Sequence, residues 1–296
     1  MAVLTAQGIS ALAIELLTRL LVLPGTVSRV PGAEFAGSNG DTITVRVPQP
    51  STARTQSSAG ATITYDDVTE VPVHVTMSHL YHGKLVSDQE LSMRLEDFGR
   101  QITRVQVAAV ATRAEGLLAA AMNAQAADAS IDATGANIEE LILEGREALG
   151  RADVPLGDRF LAVSPEVATF VLALDNLSKV DEAGSSSALR DAVIGRYRGF
   201  TVVESPSLTA GTAHMYHRSG FVFANRVPVP PRGAASSAAA EAGGIGVRQI
   251  FQYVPDKLSD ASVVSTFGGA APVAEDGTGV NGTLFPRIFS LDTASS

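Results

Sequence analysis

The side chains able to hold a metal or move a proton fall into a few groups. Histidine occurs five times: at His74, His79 and His82, and again at His214 and His217. A zinc site needs three such ligands to converge, each steadied by a further partner. On a strand, residues an odd number apart point to opposite faces. His74 and His79 are separated this way, and so are His214 and His217. Both groups therefore read as structural or solvated histidines. Asp66, Asp67 and Glu70 gather carboxylates without the glycine or spacing of a calcium loop, so they read as a charged turn between strands. Asp181 and Glu182 read as part of a solvated loop. Cysteine is absent, which removes thiolate catalysis and disulfides. There is no phosphate loop and no nucleophile elbow, and Gly243-Gly244-Ile245-Gly246 precedes a strand where a dinucleotide fingerprint needs a helix. No catalytic, cofactor-binding or metal residue is assigned, and the chain is read as not an enzyme.

The elements that would carry these residues are easier to read. The chain has 296 residues, 45% hydrophobic and 18% charged, enough for one large or two small domains. A net charge of −9 argues against a dedicated nucleic-acid binder, which needs a basic face, but not against a protein that encloses nucleic acid. Lysine occurs only at Lys84, Lys179 and Lys257; the other cations are arginines, whose planar forks suit interfaces. Ile9, Leu12, Ala13, Leu16 and Leu20 form a stripe on an N-terminal helix, with Glu15 and Arg19 paired four residues apart. Its polar face is not basic, so it reads as an amphipathic arm that needs a neighbour to cover it, not as a membrane segment.

Thr42-Ile43-Thr44-Val45-Arg46-Val47 and Thr62-Ile63-Thr64-Tyr65 alternate and read as strands of a long hairpin, with a polar tip between them. The second strand resumes at Val71 to Thr76. An isolated two-stranded ribbon is marginal in water, so the hairpin is expected to lie on another surface, such as a neighbouring subunit. A capping box at Ser87 and Glu90 then opens a helix running to about Ala124. Its stripe is Leu91, Leu95, Phe98, Ile102, Val105, Ala109 and Thr112, and its second half is apolar or small nearly all round. Residues 126–135 read as a loop. Helices capped by Asn137 and Ser164 flank a strand at Arg159 to Val163, and a short helix is expected near Leu189 to Ile194. Strands follow at Gly199 to Val203, His214 to His217 and Phe221 to Asn225; residues 232–246 read as a flexible Ala/Gly/Ser loop. Val247 to Val254 and Ala261 to Phe267 read as strands, ahead of a Gly/Pro-rich tail.

This order of elements, with three local stretches, resembles the major capsid proteins of tailed bacteriophages, the Hong Kong 97 fold. Within that fold it resembles the coat proteins of short-tailed enterobacterial phages and their actinobacteriophage relatives. The stretches are Val71-Pro72-Val73 through Ser87-Asp88; Leu189-Arg190-Asp191 through Gly199-Phe200 to Glu204-Ser205-Pro206; and Gly220 to Ala224 with Val227-Pro228-Val229-Pro230, ahead of Val247-Arg248-Gln249-Ile250-Phe251. The resemblance implies an α+β fold with an N-terminal arm (1–35), an extended hairpin loop (36–78), a peripheral domain (79–130 and 247–270) with a spine helix at 88–124, an axial domain (131–246) and a C-terminal tail (271–296). It implies a shell of pentamers and hexamers that encloses double-stranded DNA without reading its sequence, assembled in the host cytoplasm and located in the virion. Its partners would be further copies, a separate scaffolding protein, a portal and, optionally, a decoration protein, with no cofactor and no membrane. The scaffold is implied separately because the arm begins within a few residues of the start. The inserted domain of some relatives would have only residues 232–246 to occupy and is expected to be absent. No lysine lies between Asp41 and Glu70, so lysine crosslinking in the loop is excluded. The residues expected at subunit interfaces are Arg46, Arg54, Glu15, Arg19, Lys179, Asp181 and Glu182. A bacterial nanocompartment shell and a soluble α/β enzyme with a dispersed site are the alternatives.

Overall fold

The structure is a computed structural model that describes residues 13, 21–30, 42–48, 53–60, 62–65, 67, 70–87, 102–174, 193–242, 245–274 and 287–293. In chain order its elements begin with a short helix α1 (Leu23–Thr26), then β1 (Ser28–Val30), β2 (Thr42–Pro48), β3 (Glu70–Thr76) and β4 (Ser78–Ser87). Next come helix α2 (Arg104–Asn123), β5 (Ala129–Ile131), α3 (Ile138–Arg151), β6 (Arg159–Val163) and α4 (Pro165–Leu172). The remainder is strand: β7 (Val193–Tyr197), β8 (Phe200–Glu204), β9 (Ala213–His217), β10 (Phe221–Arg226), β11 (Ser236–Ala242), β12 (Ile245–Val254), β13 (Ser259–Pro272) and β14 (Ile288–Thr293).

The first sheet is organised on β13. Residues Ser259 to Ser265 of that strand pair with both β4 and β12, which must therefore lie on opposite sides of it. β10 pairs with the far end of β13, from Phe267 to Pro272, and carries β1 beside it in parallel; β11 closes the sheet outside β12. β2 and β3 form the hairpin, paired from Thr42↔Thr76 to Pro48↔Glu70, and β3 runs into β4 across Met77 alone. The hairpin base packs Ile43, Val73 and Val75 onto Val222, Ala224 and Ala271. A Cβ at Gly269 would strike the Thr76 carbonyl, so only glycine lets β3 lie this close to β13.

The second sheet runs β5-β14-β9-β6-β8-β7. On one face α3 and α4 cover Leu161, Val163, Val202 and Met215. On the other, Ala162, Tyr216 and Ile288 join the cluster around α1 and α2. A Cβ at Gly145 of α3 would collide with the Met215 methyl, so that glycine sets how closely the helix approaches the sheet.

Several expectations change. The described spine helix spans 20 residues, about 30 Å; residues 88–101, with most of the expected capping box, lie outside the described residues. Ser87 itself ends β4, a ten-residue strand the sequence reading merged into the approach to the helix. The buried helix face is Gln106, Val107, Val110, Ala111, Ala114, Glu115, Leu118, Ala119 and Met122, while Val105, Ala109 and Thr112 are exposed. The stripe is rotated because two polar residues sit on its buried side. Thr62 to Tyr65 is no strand; the partner of β2 starts at Glu70. Residues 126–135 contain β5, and Val193 and Ile194 lie in β7 where a helix was expected. Within 232–246, β11 forms a full ladder with β12. Asn137 begins α3 without capping it: its side chain accepts from the Asp132 N–H at 2.9 Å and donates to the Ser130 carbonyl at 3.0 Å, bracing β5 instead. β14 falls in the expected tail, yet it inserts between β5 and β9 of the second sheet.

Candidate functional site

The histidines do not converge, and among the described residues no three His, Asp or Glu side chains gather as a metal site would require. His74 is on the exposed hairpin, 3.1 Å from Thr44 Oγ1. His79 belongs to a different strand from His74 and packs on Phe267, ring centroids 4.7 Å apart. His214 and His217 do face opposite ways: His214 is buried against Ser290, 3.0 Å from its hydroxyl, while His217 stands at the surface turn beside Ser219. Burial alone lowers His214 to about 4, so it is neutral in the folded protein at physiological pH.

Among the surfaces that expose large apolar side chains are the hairpin and the outer face of the first sheet. From Ala53 to Gly60 and Thr62 to Tyr65 every described residue is exposed, including Ile63 (54%) and Tyr65 (84%). On β4, Leu80 and Val86 point to α2, which leaves Tyr81 (70% exposed) and Leu85 (42%) on the other face. Each apolar side chain left in water forgoes roughly 1.5–3 kcal/mol of burial. Four of them on two adjacent features form a surface suited to covering by another chain.

Of the seven residues expected at interfaces, Arg46 and Arg54 are described. Arg46 reaches diagonally across the hairpin to Glu70 at 3.5 Å, with three quarters of its side chain exposed. Arg54 donates to the Thr64 carbonyl at 3.5 Å, spanning the tip. Glu15, Arg19, Lys179, Asp181 and Glu182 lie outside the described residues.

Two buried polar groups were missed in a helix half read as apolar. Gln106 of α2 donates to the Ser262 carbonyl at 2.7 Å and to the His82 carbonyl at 3.3 Å, and accepts from Ser262 Oγ at 2.8 Å. It thereby fixes the helix to β4 and β13. Glu115, 7% exposed, accepts from Ser205 Oγ at 2.7 Å and from the Val22 N–H at 3.4 Å. Beside it Tyr216 of β9 bonds Thr26 Oγ1, which in turn donates to the Leu23 carbonyl, so the tyrosine is the donor of the pair. Burial pushes the Tyr216 hydroxyl well above its usual pKa. The arm root, the spine helix and the second sheet thus meet at one hydrogen-bonded joint. Arg104 and Arg113 are both exposed but stand on opposite sides of α2, so no charged stripe in the sequence marks Gln106 and Glu115 as inward-facing.

A sequence profile of the family described as "Phage capsid protein" matches residues 85–280, well over half of the chain. The chain belongs to this family. No curated protein matches it in sequence. Among solved structures, this capsid protein is similar to a chain from Mycobacterium phage Che8, with a TM-score of 0.60 and 18% identity over 93% of this chain and 92% of the other. It is also similar to the capsid of Ralstonia phage GP4, with a TM-score of 0.62 and 9% identity over 92% and 87%. A virus-like particle from Pyrococcus furiosus gives a TM-score of 0.55 and 13% identity over 96% and 97%. The fold is the Hong Kong 97-type capsid fold. Neither the nanocompartment shell nor the soluble enzyme is favoured, because the family matched is one of phage capsid proteins.

Proposed function

We propose that this phage major capsid protein assembles with copies of itself, as pentamers and hexamers, into an icosahedral head that encloses double-stranded DNA. It has no catalytic step of its own. A separate scaffolding protein, a portal and, optionally, a decoration protein complete the assembly in the host cytoplasm. The acidic balance of −9 suits a wall that must not grip the genome it holds. The observation that carries this reading, beyond family membership, is the hairpin: a seven-pair ribbon whose tip finds no cover in its own chain among the described residues. In a closed symmetric shell a modest contact is repeated at every copy and becomes strong in aggregate. Arg46 and Arg54 are proposed to meet a neighbour's carboxylates, and Glu15, Arg19, Lys179, Asp181 and Glu182 to lie at further contacts. The peripheral and axial divisions expected from the sequence are proposed to act as the intercapsomer and axial parts of the wall. Light scattering with negative-stain imaging of the purified protein tests this reading. Closed particles, or rings that close when scaffold is added, are expected. A monomer or dimer that persists with scaffold present would overturn it.

A further inference from the structure

The loop of residues 153–158, between α3 and β6, holds a leucine in water. Leu156 is 73% exposed, yet the backbone around it is fixed. Asp153 and Asp158 both lie in the left-handed region, at φ +54° and +50°, which aspartate tolerates better than most residues. The Val154 N–H donates to the Leu149 carbonyl at 3.1 Å, and the Arg218 N–H donates to the Asp158 carbonyl at 3.0 Å. Arg159, 3% exposed, reaches back into the loop and donates to the Val154 carbonyl at 2.6 Å and the Pro155 carbonyl at 2.8 Å. Among the described residues no carboxylate pairs with this guanidinium. A buried charge and two left-handed residues each cost free energy. What they secure is a stiff loop with an apolar side chain held outward. Such a side chain is already ordered before contact, so binding costs it little entropy.

Cations flank this leucine. Arg218, tied to the loop through Asp158, is exposed, and its side chain makes no hydrogen bond or ion pair among the described residues. Arg146 of α3 is also exposed and donates to the Arg198 carbonyl at 3.0 Å. Burial first, and the nearby charge of Arg146 second, lower the Arg159 pKa.

The complement lies on the same chain. α3 turns Leu141, Ile142 and Leu149 toward the second sheet. At 100° per residue, Glu140, Glu144 and Glu147 fall on the opposite, outward side, and all three are exposed. Leu143, 43% exposed, stands beside them. An apolar side chain among carboxylates matches an apolar side chain among guanidiniums in both charge and character. With a net charge of −9, a second copy has carboxylates in excess for such a partner. Two different patches that fit each other allow copies to join head to tail.

From this we infer that the Leu156 loop of one copy seats on the outward face of α3 in the next, Leu156 against Leu143 and the arginines against Glu140 and Glu144. This rests on the shell reading and adds to it a contact that involves neither the hairpin nor the first sheet.

The chain lacks cysteine, so single thiols report without background. Leu156→Cys and Leu143→Cys are placed on separate full-length chains of different mass, co-assembled and oxidised, so that only a bond between copies can form. Thr44→Cys with His74→Cys, cross-strand partners in the hairpin, controls for oxidation. Mixed covalent dimers are expected, with none from either variant assembled alone. Particles that give no mixed dimer, while the control closes, overturn the inference. So does a dimer from Leu156→Cys alone, which would mean that the loop meets the same loop of another copy. Failure of the unsubstituted protein to form particles would sink the shell reading, and the inference with it. Charge reversal gives a second test. Arg218→Glu is expected to lower particle yield several-fold with the subunit's melting temperature unchanged, and adding Glu140→Arg and Glu144→Arg is expected to restore it. Full yield from Arg218→Glu alone, or no recovery in the combined variant, would count against the contact.

Discussion

The second sheet is buried on both faces, by α3 and α4 on one and by α1 and α2 on the other, and its edges are short or bulged. The first sheet has α2 on one face, leaves Tyr81 and Leu85 on the other, and among the described residues ends in β11. Its seam with the helix adds the polar tie of Gln106 to Ser262 to the apolar packing of Leu80, Val247 and Val264, where the cluster under α3 and α4 is apolar. The second sheet has helices on each face, whereas the first leaves Tyr81 and Leu85 of β4 exposed. Substitutions in the two should therefore differ in kind. In the second sheet, subunit stability and assembly should fall together; on the outer side of the first, assembly should fall alone.

The largest expected effect breaks the second sheet. Phe200 is fully buried, and Phe200→Ala should cost about 3–5 kcal/mol in the unassembled subunit, measured by denaturant unfolding. Tyr81→Ala, at a side chain 70% exposed, should change subunit stability by no more than about 0.5 kcal/mol while lowering particle yield. Equal subunit losses at the two positions would erase the distinction.

His214 gives the second sheet a pH signature. Its folded pKa is about 4 against an ordinary 6.5. The unfolded chain takes up a proton as pH falls through 6.5, and the folded chain resists until about 4. Stability is thus full above that window and declines as pH drops through it, by about 3 kcal/mol in total. Unfolding of the subunit at pH 7.5 and pH 4 should show that loss in the unsubstituted protein and a smaller one in His214→Asn. Identical pH dependence in both would show that this imidazole is not responsible.

The joint between the sheets should respond at an intermediate level. Glu115→Ala leaves Ser205 Oγ and the Val22 N–H without their carboxylate, for a loss of about 1–3 kcal/mol. Hydrogen exchange should rise across residues 21–27 and stay unchanged in β12. A rise in β12 alone would mean that the arm root is held by other contacts.

Thr42 to Val47 and the return strand at Val71 to Thr76 were legible in the sequence, because a period of two is a local property; Thr62 to Tyr65 alternates just as strictly and is no strand, because no ladder partner lies beside it. β11 was not. Ser-Ser-Ala-Ala-Ala-Glu-Ala has no strand preference, and only the ladder offered by β12 makes it extended. β4 was hidden because Gly83 and two histidines break its apolar pattern, while β13 supplies a ten-residue register. Gln106 and Glu115 were hidden for the opposite reason: a polar residue in an alanine-rich helix reads as solvent-facing until its partners, distant in sequence, are known. Arg46 and Arg54 were placed by sequence on the hairpin, where they are found, but Glu70 as the partner of Arg46 depends on the register, which the sequence reading set differently.

The smallest expected effect falls on that pair. Arg46 and Glu70 are exposed by 76% and 37% and lie 3.5 Å apart, so solvent screening leaves the ion pair little net worth within the subunit. Arg46→Ala should therefore shift subunit stability by less than about 0.5 kcal/mol. If Arg46 also meets a carboxylate of the next copy, the same substitution acts once per subunit around the whole shell, and the salt concentration at which particles dissociate should fall clearly. Glu70→Ala separates the two roles. It removes the intrachain partner and frees the guanidinium, so particle stability should hold or rise while subunit stability stays within the same narrow limit. Parallel losses in both variants would assign the arginine to its own hairpin and leave the neighbour's contact to Arg54.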